Sequence, residues 1–302
     1  MSPTLPAVPT RPGAEAIAAK GWLAAHKWLI LRRSSQVGIL LLFLVCPWFG
    51  WWIVKGNLNF SYTLNLLPLA DPYVILQSLL AQQMPERRAL IGTVIVVLFY
   101  LLVGGRSYCA WVCPVNVLTD FAYWLRVRLG LKGSAHISRP TRYWMLGMTL
   151  VAAAVTGSIA WEMVNPVSMM HRGLIFGLGL AWAVLLAMFL FDLFVMRHGW
   201  CGHLCPVGAF YSLIGRISLA RVTLPTRAAC NDCMDCFAVC PEPQVIRPAL
   251  KGIGGTPPVI LEANCTNCGR CIDVCSKDVF TFGTRFGTTV SSMNGVPLTA
   301  PK

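Results

Sequence analysis

Eight cysteines near the C-terminus restrict this chain more than any other feature. Cys230, Cys233, Cys236 and Cys240 are spaced C-x₂-C-x₂-C-x₃-C, and Cys265, Cys268, Cys271 and Cys275 repeat the spacing. This spacing holds 4Fe–4S clusters: three close thiolates wrap one cluster, and the fourth ligates the neighbouring one. The expected ligand sets are therefore Cys230, Cys233, Cys236 and Cys275 for one cluster, and Cys265, Cys268, Cys271 and Cys240 for the other. Any fold must bring the two runs side by side. Pro241 follows Cys240 as is usual, whereas Ser276 follows Cys275; that departure alters a turn and leaves the thiolate. Zinc knuckles separate their C-x₂-C pairs by longer gaps, so the packed quartets favour iron–sulfur chemistry, which moves electrons singly.

The remainder of the chain is strongly apolar. Hydrophobic residues make up 56% of the 302 residues and charged residues 12%, against roughly 25% charged in an ordinary soluble chain. Apolar runs over residues 37–54, 89–105, 143–164 and 174–196 each approach the ~20 residues that cross a bilayer as a helix. Trp48, Trp51, Trp52, Tyr143, Trp144 and Trp161 crowd their ends, as aromatic belts do at a membrane surface. The expectation is an all-α membrane bundle of four transmembrane helices in two pseudo-repeated pairs. A C-terminal bacterial ferredoxin-like domain with two 4Fe–4S clusters would follow it.

The net charge of +13 would suggest nucleic acid in a soluble protein. Here the basic residues sit beside apolar runs, so membrane topology explains them and no nucleic-acid partner is expected. Residues 1–36 carry five Lys/Arg and one acid, and residues 106–142 carry six and one. The weakly charged loops 55–88 and 162–173 would then lie outside, with both termini cytoplasmic. Thiolate ligands also need a reducing compartment. The expected division is a cytoplasmic N-terminal segment over 1–36, a four-helix transmembrane domain over 37–215 and a cytoplasmic ferredoxin-type domain over 216–302. The multi-pass protein would sit in a bacterial inner membrane. The first 14 residues are rich in Pro, Thr and Ala and read as disordered.

An internal repeat marks the apolar part. Arg106-Ser-Tyr-Cys109-Ala-Trp-Val-Cys113-Pro114 returns as His198-Gly-Trp-Cys201-Gly-His-Leu-Cys205-Pro206, an offset of 92 residues between Cys109 and Cys201. Asp71-Pro72 and Asn165-Pro166 pair at a similar offset. On a helix the two cysteines of each C-x₃-C motif share a face. The repeat could therefore gather Cys109, Cys113, Cys201 and Cys205. A further metal or iron–sulfur centre, thiol redox chemistry and burial as small apolar groups all stay open. His203 has Trp111 as its counterpart, which weakens it as a ligand. Asp192 within an apolar run is a candidate proton acceptor or an ion-pair partner of Arg197. Glu162 and His171 are candidate proton acceptors, and Cys46-Pro47 reads as a kink with a buried thiol.

Taken together, these motifs resemble the NapH family, the ferredoxin-type membrane subunits of the periplasmic nitrate reductase system. The segments carrying the resemblance are Cys46-Pro47-Trp48-Phe49-Gly50, Tyr108 to Pro114, His198 to His203, Cys230 to Cys236 and Cys268-Gly269-Arg270-Cys271. A methylamine-utilisation protein and a larger nitrous-oxide-reductase regulator share parts of the plan. The resemblance implies a quinol dehydrogenase component. It would pass electrons from membrane quinol toward a periplasmic nitrate reductase, through a periplasmic ferredoxin-type partner (NapG) and a membrane-anchored multihaem cytochrome. The alternative is an iron–sulfur maturation factor for a partner reductase, without quinol turnover. A third reading is a scaffold whose clusters stabilise the tail and dock partners.

Overall fold

Glycine and proline set the helix lengths, and they overturn the four-span expectation. The computed structural model describes residues 12–287, except 46–48, 51–52, 132–134, 136 and 178. Three helices open it: α1 (Ala14–Lys20), α2 (Trp22–Ala25) and α3 (Lys27–Val45). Among the described residues, α3 alone is long and apolar enough to cross a membrane, with mean hydropathy 1.5. The second apolar run becomes α5 (Arg87–Val103), which stops at Gly104 with φ of 119°. The third becomes α8 (Thr141–Thr156), ended by Gly157 in the left-handed conformation. The fourth is split at Gly177 (φ 92°) into α9 (Pro166–Phe176) and α10 (Leu180–Leu190). Glycine adopts positive φ without a steric penalty and so ends helices readily. Counting apolar residues missed these breaks. Cys46-Pro47, with Trp48, Trp51 and Trp52, lies outside the described residues.

Nor is the chain all-α. The expected outer loop after α3 holds the antiparallel strands β1 (Val54–Gly56), β2 (Phe60–Thr63) and β3 (Leu67–Ala70), in that order. The helix α4 (Pro72–Leu80) follows directly. Gly92 lets α5 lie against this sheet, because a Cβ there would stand 3.0 Å from Pro68 backbone atoms.

The repeat is visible as an order of elements. Asp71 caps α4 by accepting from Tyr73 N–H at 3.0 Å, and Asn165 caps α9 by accepting from Val167 N–H at 3.1 Å. Each has proline in the first helical turn, where the missing N–H costs nothing. An apolar helix follows, then the C-x₃-C segment, then a helix begun at or beside a proline. In the first half these are α5, α6 (Ser107–Trp111) and α7 (Val115–Arg128). In the second they are α10, a π-turn over Trp200–Leu204 and α11 (Pro206–Gly215). Gly105 permits a close crossing with α11: a Cβ there would fall 2.1 Å from Tyr211 O.

The C-terminal part has its own core of Val222, Leu224, Ile246, Ile260, Val279 and Phe280. Its elements are β4 (Ala220–Thr223), α12 (Asp235–Val239), α13 (Ile246–Lys251), α14 (Arg270–Val274) and β5 (Thr281–Thr284), with β4 and β5 antiparallel. The N-terminal segment is fastened to it. Asp235 accepts from Gly13 N–H at 2.9 Å, and Lys20 donates to the carbonyls of Ile272 and Cys275. Asp273 accepts from the Trp28 and Leu29 N–H groups in the first turn of α3. Of the first 14 residues, expected to be disordered, 1–11 lie outside the described residues, whereas Gly13 is hydrogen-bonded to Asp235 and Ala14 begins α1.

Two buried carboxylates hold the C-terminal part on the helical body. Glu242 receives Arg106 and Arg142, each at 2.8 Å, and all three side chains are almost fully buried. Asp120 on α7 receives Arg270 from α14, Arg33 from α3 and, at 3.6 Å, Arg32. Arg32, Arg106 and Arg142, counted above as membrane-flanking charges, are thus internal ion-pair partners. Trp161, counted as a belt residue, is buried in the helical core.

Burial opposes ionisation of Asp120, but Arg270 and the Arg32–Arg33 pair outweigh it and hold the carboxyl well below its ordinary range. A depressed folded-state value stabilises fully above the unfolded pKa, about 3.9, and that stabilisation is lost as pH falls toward the folded value. Replacing Asp120 with Asn leaves three arginines without their counter-charge and should cost roughly 3 kcal/mol at neutral pH. Urea unfolding at a series of pH values should show the gap between wild type and Asp120→Asn narrowing below about pH 4.

Candidate iron–sulfur site

The two cysteine runs adopt the same backbone path. Asp232 and Asn267, the second residue after the first cysteine, have φ of 57° and 47°. Met234 and Gly269, one residue after the second cysteine, have φ of 65° and 75°. These left-handed turns curl each loop around its thiols. Each loop then enters a five-residue helix, α12 or α14, with Met234 or Gly269 at its N-cap. The third cysteine of each run, Cys236 or Cys271, lies in that helix, and the fourth, Cys240 or Cys275, stands at its far end. A helix between third and fourth ligands carries the fourth thiol away from its own loop.

The side chains group accordingly. Cys230, Cys233, Cys236 and Cys275 line one cavity, walled by Phe237, Leu250, Val274, Val279 and Phe280. Burial raises the Cys240 and Cys271 thiols; Cys240 also feels Cys268 and Cys265, and Cys271 feels Cys268, Cys265 and, from the other run, Cys240 and Cys236. The fit to iron–sulfur clusters is good: thiols in fours, apolar walls and loop backbones curled inward. Among the described residues no three His, Cys, Asp or Glu side chains converge closely enough for a single metal ion. A cubane spreads its four thiolates over its four irons, so its ligands need not converge on one point. Burial pushes the Cys268 thiol up, yet Arg270 and Arg32 more than offset it and leave the thiol below its ordinary value. Low thiol pKa favours the thiolate that binds iron.

The four helical cysteines are also brought together. Cys109, Cys113, Cys201 and Cys205 line one cavity of about 30 Å³, close in size to the 20 Å³ at Cys230, Cys233, Cys236 and Cys275. The Val115 and Asn116 N–H groups face Cys113, and those of Val207 and Gly208 face Cys205. The proline after each second cysteine thus begins a helix whose first amides point at a sulfur; burial outweighs this pull toward thiolate and leaves both thiols raised, Cys205 to about 11. Another small cavity is lined by Cys109, Cys201 and Cys268 together, with Arg106 and Glu242. It joins the helical cysteines to the C-terminal ones.

Other candidates from the sequence lie elsewhere. Asp192 accepts from Trp200 N–H at 2.9 Å, while Arg197 donates to the Ala238 and Cys240 carbonyls and stacks on Tyr123; among the described residues no ion pair is seen between the two. Glu162 meets Arg172 and Asn165. His171 is buried, edge-on to Phe43. His203 is buried and feels Glu242 and Arg139. Sequence reasoning missed Asp120, Glu242 and their arginines, because no spacing rule links residues from opposite ends of the chain.

Comparison with known proteins finds iron–sulfur families over both cysteine-bearing regions. A family described as "4Fe-4S dicluster domain" matches residues 229–279. One described as "4Fe-4S binding domain" matches twice, over 88–132 and 176–225, once in each half of the repeat. A methylamine utilization ferredoxin-type protein MauN from Methylorubrum extorquens is 53% identical over 267 residues, spanning 88% of this chain and 92% of its own length. MauN of Paracoccus denitrificans is 55% identical over 270 residues, with 89% and 95% covered. The ferredoxin-type protein NapH of Escherichia coli is 48% identical over 281 residues, with 93% and 97% covered. The chain belongs to the NapH/MauN family of ferredoxin-type proteins. It carries 4Fe–4S binding domains and is a ferredoxin-type electron-transfer protein. No solved structure matches it.

Gly269 gives a direct test of the loop geometry. Its φ is positive, and a Cβ would sit 2.6 Å from the Trp28 Cβ on α3. Gly269→Ala should destabilise by more than ~1 kcal/mol. Met234→Gly relieves the equivalent turn in the other run and should not destabilise comparably. Anaerobic thermal unfolding of the two variants checks the contrast.

Proposed function

We propose that Cys230, Cys233, Cys236 and Cys275 hold one 4Fe–4S cluster, that Cys265, Cys268, Cys271 and Cys240 hold a second, and that the protein draws electrons from membrane quinol and passes them onward. The observation that carries this reading is the continuity of the thiol groups. The cavity of Cys109 and Cys201 also reaches Cys268, so the helical body and the C-terminal cysteines form one connected set. A scaffold that merely stabilised the tail would not need thiols leading away from it. The clusters supply one-electron storage and transfer when bound. The protein's own part is to hold the thiols in groups, keep water from them with the Phe237 and Phe280 walls, and set the local charge through Arg270 and Arg106.

Cys109, Cys113, Cys201 and Cys205 form a further iron–sulfur site shared by the two halves of the repeat. Support comes from their common cavity, the helix amides facing two of them, and the double match to a 4Fe–4S binding family. The boundaries we favour are a helical domain ending near residue 215 and a ferredoxin-type domain over 216–302. The helix α3 supplies the membrane contact, and the thiolate clusters belong on the reducing, cytoplasmic face of a bacterial inner membrane.

On the resemblance to NapH proteins, we infer that the electrons go toward a periplasmic nitrate reductase by way of NapG and a membrane-anchored multihaem cytochrome. The MauN relatives are equally similar, and they favour a second reading in which the same transfer serves methylamine utilisation. Either differs from a maturation factor in requiring turnover with quinol.

Two measurements test the reading. Anaerobic iron analysis of the full chain should exceed the roughly eight irons of two cubanes, and the excess should vanish in Cys109→Ser. The Cys275→Ser variant should lose one C-terminal cluster and keep the other, a fall of about four irons. Addition of a reduced quinol analogue should produce the EPR signal of reduced clusters. No reduction at any quinol potential would remove the quinol reading and leave the maturation one.

A further inference from the structure

Asp71 has a charge that its structural role does not require. Its side chain caps α4. The equivalent cap on α9 is made by Asn165, with the same geometry and no charge. Asparagine and aspartate cap helices about equally well, whereas a buried carboxylate is costly unless something pairs with it. Asp71 is 8% exposed, and among the described residues no Lys, Arg or His forms an ion pair with it. Both hydrogen bonds it accepts fall on Oδ1, from Tyr73 N–H at 3.0 Å and Tyr211 O–H at 3.3 Å. Among the described residues Oδ2 receives no donor.

Asp71 borders a cavity of about 420 Å³, within the 300–1,000 Å³ range of small-molecule sites. One wall is α3, the candidate membrane-crossing helix, through Ile39 and Leu42; α5 supplies Val96 and Phe99, and the sheet supplies Leu67 and Leu69. Apart from Ser61 and Thr63 on the sheet, the polar lining is Asp71 with Tyr100, Tyr108 and Tyr211. The three tyrosine rings pack on one another with centroids 4.8–6.1 Å apart. They form a rigid aromatic corner beside the carboxylate. Asp71 and Tyr108 also line the cavity of Cys109, Cys113, Cys201 and Cys205. The apolar chamber and the thiol chamber thus meet at these two side chains.

We propose that this chamber binds a lipophilic hydroquinone, with a ring hydroxyl donating to Asp71 Oδ2 and the apolar tail running between α3 and α5. Three requirements select this ligand class. The body must be apolar to suit the walls. It must carry a hydroxyl donor for the free carboxylate oxygen. It must gain from lying next to redox-capable thiols. A lipid tail meets only the first, and a fatty alcohol the first two. The ligand class rests on the reading of the protein as quinol-fed, whereas the site itself rests on the cavity and on Asp71.

The test uses the full-length protein, purified anaerobically in detergent, with decylubiquinol as probe and calorimetric titration as readout. Asp71→Asn keeps the cap in the form Asn165 already uses and removes the acceptor charge. Val96→Trp fills the chamber without touching Asp71. Each should weaken decylubiquinol binding at least tenfold while iron content and the EPR signal of dithionite-reduced protein stay as in wild type. Unchanged affinity in either folded variant overturns the proposal. Should Asp71→Asn fail to fold, Val96→Trp decides by itself. Failure of the two ideas looks different. Wild-type binding at this site with clusters that never accept electrons from the probe would defeat the functional reading and leave the site. Cluster reduction at the wild-type rate in both variants would defeat the site and leave the function.

Discussion

Reciprocal burial of charge joins the two parts of this molecule. Glu242 from the C-terminal part is enclosed by Arg106 and Arg142 of the helical body, and Asp120 of the helical body is enclosed by Arg270 of the C-terminal part with Arg32 and Arg33. Each part therefore presents an acid to the other's arginines. Removing one member leaves buried charge without compensation, which is far costlier than losing an exposed pair. The same contacts fix where the thiols lie. Arg106 donates to Glu242 and to the carbonyls of Asn264 and Cys201. Arg270 is two residues from Cys268 and bonds Asp120. The ion pairs that dock the C-terminal part thus also set the field around its cysteines.

The chemistry was legible in the sequence because it depends on short-range spacing. C-x₂-C-x₂-C-x₃-C dictates a tight loop followed by one helical turn or so, and the structure has that loop twice with matching left-handed residues. The C-x₃-C-P motifs were only partly readable: the helix breaks near each proline as expected, but α6 stops at Trp111 and the π-turn at Leu204, so the two cysteines of a motif do not share one helix. The pairing of Asp71-Pro72 with Asn165-Pro166 proved to be a pair of helix caps. Local rules governed each of these.

What depended on long-range partners was misread. Arg32, Arg106 and Arg142 beside apolar runs look like membrane-flanking charges, and only the fold shows that they pair with Asp120 and Glu242. The four-span bundle failed for a related reason. Hydropathy adds up side chains and ignores where the backbone turns, so Gly104, Gly157 and Gly177 went uncounted. The sheet after α3 was invisible because its strands are three or four residues long, too short for alternation to register. Residue counts therefore suggested membrane helices where the chain builds shorter helices around a cysteine-lined centre.

The central claim is that the two C-terminal cysteine runs exchange their fourth ligands across α12 and α14, which requires two cubanes held as neighbours. Low-temperature EPR of the fully reduced, anaerobic protein tests this most directly. Two adjacent reduced clusters should couple magnetically and give a broadened, interacting spectrum. Two independent rhombic signals, or a single one, would contradict the account.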